Sequence, residues 1–149
     1  MRALLLLLVA TPLLAQEPAP PAPGKEFRVY VGLWTSHLRR IRTGIDNNWL
    51  LGVGYNGLYG ATFINSYGTR AFALGLERQL ARTADGNVER GLSYRVGLVT
   101  GYDQRLNRLA AKSPVVPLAQ LVGSVDVGRG RMELAWAGLV ASLGPSVRP

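Results

Sequence analysis

Few side chains in this sequence can do covalent chemistry. There is no cysteine and one histidine, His37, so nucleophile and base must come from a short list. His37 is a candidate general base. Asn65-Ser66 offers a hydroxyl and an amide, either of which can donate a hydrogen bond to an oxyanion. A base that deprotonates a hydroxyl, with donors for the tetrahedral oxyanion, is what acyl transfer between lipids requires. An amide at position 65 cannot take a proton or stabilise an imidazolium as a carboxylate can. Asp46 or Asp103 could supply that carboxylate, and spacing does not choose between them. Two structural readings stand beside this one. A lone histidine can be a packing or surface residue, and Asn-Ser ahead of Gly68 is also ordinary turn chemistry.

The elements that would carry these residues are strands. From Asn48 to Glu89 the sequence alternates with period two. Trp49, Leu51, Val53 and Tyr55 alternate with Leu50, Gly52, Gly54 and Asn56; Phe72, Leu74, Leu76 and Leu80 alternate with small or polar residues. Seven strand segments are expected: Phe27–His37, Asn48–Tyr55, Leu58–Tyr67, Arg70–Arg82, Arg90–Tyr102, Val115–Val127 and Arg131–Ser142. Asn56-Gly57 and Asp85-Gly86 are hairpin turn pairs. The fold class is all-β, an antiparallel up-and-down barrel of about eight strands of membrane type, with seven read directly. An even count is the rule for such barrels, so either two strands are merged in this reading or one is missing. His37 and Ser66 each fall near a strand end, which could bring both to one rim.

The sense of the alternation predicts a membrane barrel. One parity is large and uncharged, and the other is glycine-rich or polar, the arrangement expected when lipid lies outside. A soluble barrel has the opposite sense. Trp34, Trp49, Tyr55, Tyr59, Tyr67, Tyr94 and Tyr102 are expected at the interfacial belts. Met1–Ala15 (MRALLLLLVATPLLA) reads as a signal peptide, 16–26 as a proline-rich linker, and 27–149 as one barrel domain. The net charge of +8 is mostly arginine, forms no helical stripe, and points to anionic headgroups rather than nucleic acid.

Three segments resemble the lipid A palmitoyltransferases of Gram-negative outer membranes. Asn56–Arg78 (NGLYGATFINSYGTRAFALGLER) is similar to that family's Gly-Leu-Tyr strand, acid-serine pair and glycine-bearing strand. Val29–His37 (VYVGLWTSH) is similar to its first strand, which ends in Trp-x-x-His. Ser113–Gly130 (SPVVPLAQLVGSVDVGRG) resembles its proline-containing sixth strand. The resemblance implies an eight-stranded outer-membrane barrel holding one acyl chain, with His37, Asn65 and Ser66 as the catalytic set. Asn65 stands where the family has aspartate. It also implies that Gly75 forms the floor of the acyl pocket. Gly75 can equally relieve crowding in a narrow barrel. Pro114 and Pro117 cannot donate ladder hydrogen bonds, so they are expected to mark a lipid gate, as the resemblance also implies.

The expected function is therefore transfer of a fatty acyl chain from a phospholipid to lipid A or a related lipid. The expected location is the outer membrane of a Gram-negative-type bacterium. The partners would be phospholipid and lipid A or lipopolysaccharide, with no nucleic acid, no cofactor and no metal, and the chain would act as a monomer. The alternatives are a non-catalytic lipid-binding or structural outer-membrane barrel, and a soluble periplasmic barrel with a small apolar ligand.

Overall fold

The computed structural model describes residues 26–37, 46–138 and 140–149. The expected signal peptide and nearly all of the expected linker lie outside them. The described residues form β1 (Phe27–Val31), β2 (Trp34–His37), β3 (Leu51–Tyr55), β4 (Leu58–Ile64), β5 (Arg70–Asp85), β6 (Val88–Thr100), β7 (Val115–Val127), β8 (Gly130–Ala137) and β9 (Val140–Val147). Neighbours pair antiparallel in chain order, and β9 returns to pair with both β1 and β2. The sheet is closed. β1 and β2 occupy one stave, so the nine segments make an eight-stave barrel.

Two expected strands are each divided. The segment expected as Phe27–His37 breaks at Gly32, whose φ of 79° is the left-handed region that glycine adopts most readily. Across this break the register against β9 slips by one, from Tyr30↔Ser146 to Trp34↔Leu143. That is a β-bulge, and one extra residue exchanges the two faces of the strand that follows. Arg28 is buried on the even parity of β1, whereas Thr35 is buried on the odd parity of β2. An unbroken strand would give His37 the parity of Phe27 and Val31, which are exposed on the outside; the bulge turns it inward. The second division falls in Arg131–Ser142, where Gly138 (φ 60°) ends β8 and β9 follows. The apparent seventh strand is thus two, and β9 closes the barrel.

The faces are inside-out relative to a soluble protein. Leu51, Val53, Phe72, Leu74, Leu98, Leu134 and Trp136 are all exposed on the outer wall. Arg28, Ser93, Arg95, Asp126, Glu133, Ser142 and Ser146 are buried in the lumen. The aromatic belt is smaller than expected: Tyr59 is buried in the lumen, and Tyr67 and Tyr102 line an internal cavity.

A ladder of charge fills the lower lumen, the end holding the β3–β4, β5–β6 and β7–β8 turns. Arg95 Nε donates to Glu77 Oε2 at 2.6 Å, and its Nη2 donates to Glu133 Oε2 at 2.5 Å. Arg131 Nε donates to both Asp126 oxygens at 2.9 Å, and Arg131 also lies 3.4 Å from Glu133. Arg28 pairs with Glu26 and Asp126, and Arg148 reaches the same two carboxylates. Four arginines thus face four carboxylates with no net charge. The rings of Tyr30 and Tyr59 flank the Arg95 guanidinium at 5.1 and 5.5 Å, within cation–π range.

Breaking a buried ion pair from one side costs about 3–5 kcal/mol, because the remaining charge has no partner. Arg95→Met is therefore expected to lower the urea midpoint of the folded barrel in detergent sharply. Adding Glu77→Gln and Glu133→Gln is expected to recover most of that loss. Equal midpoints for Arg95→Met and the parent would show that the ladder carries no such weight.

Candidate functional site: an apolar cavity at the open end of the barrel

Above the ladder the lumen becomes apolar and opens into a cavity of about 360 Å³. Ala61, Phe63, Ala73, Val99, Val116 and Ala135 line its wall. Tyr30, Tyr59, Arg95 and Glu133 form its floor. From Glu133 to Ala137 the lined wall runs about 13 Å along β8, at roughly 3.3 Å per residue. A pocket of this size and lining suits one apolar chain rather than a polar metabolite.

His37 and Ser66 both line this cavity. His37 ends β2, opposite Val140 on β9. Ser66 belongs to the β4–β5 turn and is buried. The bulge at Gly32 brings the first to the lumen and the turn brings the second, so the two sequence-predicted groups open on one space.

Asn65 is spent on structure. It is fully buried. Its Oδ1 accepts from the backbone N–H of Tyr67 at 2.9 Å and of Thr69 at 3.0 Å. Its Nδ2 donates to the Gly101 carbonyl at 2.6 Å. The side chain folds the turn that presents Ser66 and ties it to the β6–β7 loop. An aspartate could make the first two bonds but would set a carboxylate against the Gly101 carbonyl oxygen. Asn65→Asp is accordingly expected to destabilise the barrel by about 1–3 kcal/mol, the cost of a buried group without its partner. Gain of stability in the same urea titration would contradict this account of position 65.

Gly75 lies beneath the Tyr59 ring, not at an open floor. A Cβ there would fall 2.8 Å from Gly97 Cα and 2.9 Å from Tyr59 Cε1, and it would also meet the Val96 carbonyl. Gly75 and Gly97 are direct partners in the β5–β6 ladder, and the bare backbone of this pair leaves the room that the Tyr59 ring occupies. The floor that a chain would meet is the tier of Tyr59 and Arg95 above this pair. Those residues carried no signal in the sequence beyond their parity. Gly75→Met is therefore expected to give misfolded protein rather than a barrel with a shorter cavity. Recovery of a folded, heat-modifiable Gly75→Met barrel would refute this.

The two prolines fall at the start of β7. Pro114 precedes the strand, and Pro117 pairs with Leu98 on the β6 side. On the other side the β7–β8 ladder begins only at Leu121↔Trp136. Val115–Gln120 thus carry no register partner on β8, and Pro117 and Ala119 line the cavity from that open edge. The wall has a lateral gap above Leu121.

The mouth is framed by the β6–β7 loop. Tyr67 and Tyr102 meet edge to face at 6.3 Å, and Tyr67 Oη donates to the Arg105 carbonyl at 3.0 Å. Arg105 in turn binds Asp103 through Nε and Nη2 and holds that carboxyl below the usual carboxylate range. Burial pushes the Tyr102 hydroxyl up to about 12, so it is no base near neutral pH. Asp103 is committed to Arg105 and not directed at His37.

No family model matches this chain, and no curated protein matches it.

Proposed function

We propose that this chain is an outer-membrane barrel that seats one fatty acyl chain of a phospholipid in its upper lumen and transfers it to a hydroxyl of lipid A or a related lipid. The observation that carries the proposal is that His37 and Ser66 open together on an apolar cavity with a polar floor. The inside-out faces support a membrane setting, because so many exposed apolar side chains on a closed wall are favourable in hydrocarbon and costly in water. The gap beside Pro117 offers a chain a route into the lumen from the bilayer plane.

In this reading His37 takes the proton from the acceptor hydroxyl as its oxygen attacks the phospholipid ester carbonyl. Ser66 donates to the oxyanion that forms. Collapse of the tetrahedral species breaks the bond to the glycerol oxygen, and the imidazolium returns the proton to that oxygen. The products are an acylated acceptor and a lysophospholipid. Asn65 acts through the turn it folds, with its amide bound to the backbone.

A second reading has a specific observation behind it. The position that resembles a catalytic acid is a structural amide, which favours a barrel that binds an acyl chain without transferring it. Incubating the purified barrel with phosphatidylethanolamine and lipid A, followed by mass spectrometry, separates the two. Transfer predicts acylated lipid A with an equal amount of lysophospholipid. His37→Ala is expected to lower the rate by about 10²–10⁴-fold, the usual contribution of a general base. Tight binding of the acyl chain with no transfer would establish the non-catalytic reading, and full transfer by His37→Ala would overturn the assignment of the base.

A further inference from the structure

A base that must become an imidazolium is held and stabilised by a carboxylate in many acyl-transfer sites, and Asn65 cannot serve. The geometry points to Asp46 as the carboxylate that orients His37, an inference that rests on the catalytic reading of His37. The Thr35 backbone N–H donates to the Asp46 carbonyl at 2.7 Å, the Asn48 N–H donates to the Leu33 carbonyl at 2.8 Å, and Trp34 bridges Asn47 between them. These bonds set Asp46 directly opposite Thr35 in an antiparallel pair.

Directly opposed residues present their side chains to the same face, and the faces are fixed independently at four positions. Thr35 and Asn48 are buried and line the cavity, while Trp34 and Asn47 are exposed on the other parity. Asp46 therefore has the parity of Asn48, one step nearer the mouth, where its side chain is exposed at the rim of the cavity that His37 lines. His37 shares the face of Thr35, also one step nearer the mouth. The two are diagonal neighbours across the pair, a relation that places Cβ atoms roughly 7–8 Å apart, within reach of a carboxylate and an imidazole.

Competing partners are few. Opposite His37 and Thr35 on β9 stand Val140 and Ser142, which carry no charge. The β4–β5 turn and the β6–β7 loop bring Tyr67 and Tyr102 to the mouth. Arg95 and Glu133 belong to the floor and bind each other. Asp103 is held by Arg105. Among the described residues, no hydrogen bond or ion pair engages the Asp46 carboxylate. Arg39, Arg40 and Arg42, which follow His37 in the chain, lie outside the described residues and are common to every variant compared below.

The test uses the fact that His37 is the sole histidine of the full chain. Diethylpyrocarbonate acylates only the neutral imidazole, and its product is followed at 240 nm without any need for enzymatic turnover. A carboxylate bonded to the imidazole covers the ring against the reagent and slows the reaction. At pH 6, Asp46→Asn is expected to speed modification of the detergent-folded barrel about threefold or more, with Asp103→Asn unchanged. In the transfer assay, Asp46→Asn is expected to lower kcat by about 100-fold with little change in KM, and Asp46→Glu to restore part of the loss. An unchanged modification rate in Asp46→Asn overturns the inference, as does acceleration by Asp103→Asn instead. The modification assay decides the pairing even if the barrel transfers nothing, so failure of this inference and failure of the catalytic reading are distinguishable.

Discussion

The ion ladder in the lower lumen sets the terms for the rest of the structure. A closed barrel of eight staves has little interior, and what occupies it determines what can enter. Here Arg28, Arg95, Arg131 and Arg148 meet Glu26, Glu77, Asp126 and Glu133 in one connected set. Arg28, Arg95, Asp126 and Glu133 are buried, and taking such charges out of water costs several kcal/mol each, which their mutual pairing offsets; Glu26 and Arg148 close the set at its partly exposed end. Loss of one buried member alone therefore leaves its partner uncompensated, and the set fills its half of the barrel. What remains open is the upper half, and the tier of Arg95, Tyr30 and Tyr59 becomes a floor. Gly75 and Gly97 belong to the same constraint, since their bare backbone leaves room for the Tyr59 ring and nothing more.

The upper half is built on the opposite principle. Its lining is mostly apolar and small, and its polar groups gather at the mouth. Alanine and glycine on the lumen parity leave volume that larger side chains would fill, and leucine, phenylalanine and tryptophan on the outer parity meet the surroundings. The same period-two alternation thus makes both the empty slot and the greasy wall. The unpaired edge of β7 beside Pro117 joins them, because it is where the slot reaches the wall.

Much of this was legible in the sequence, and what was not has definite causes. Val115–Val127 emerged with its expected ends, because a proline-marked start and a Gly-Arg-Gly turn bound it. The Asn56-Gly57 turn followed from two residues that accept positive φ, 50° and 79° in the structure. The Ala137–Val140 turn escaped notice because Gly138 is its one turn residue, set among apolar neighbours that read as continuous strand. The face of His37 was also hidden, since a bulge of one residue leaves no compositional mark beyond Gly32 while reversing every side chain after it. Pairing among Glu77, Arg95 and Glu133 depends on strands that meet only when the barrel closes, and no local pattern records it. Asn65 was visible as both a turn residue and a candidate catalyst; only its three hydrogen bonds separate the roles.

The central claim is that the alternation puts lipid against the large apolar face. All three tryptophans of the chain (Trp34, Trp49 and Trp136) are exposed on that outer side, so their fluorescence reports on it without mutation. The direct measurement is quenching of this emission in vesicles of phospholipids brominated along the acyl chain, compared with quenching by aqueous acrylamide. The account predicts strong quenching by the brominated lipids and weak quenching by acrylamide. Strong acrylamide quenching with no effect of the brominated chains would contradict it, and with it the assignment of the cavity as a site for a membrane lipid.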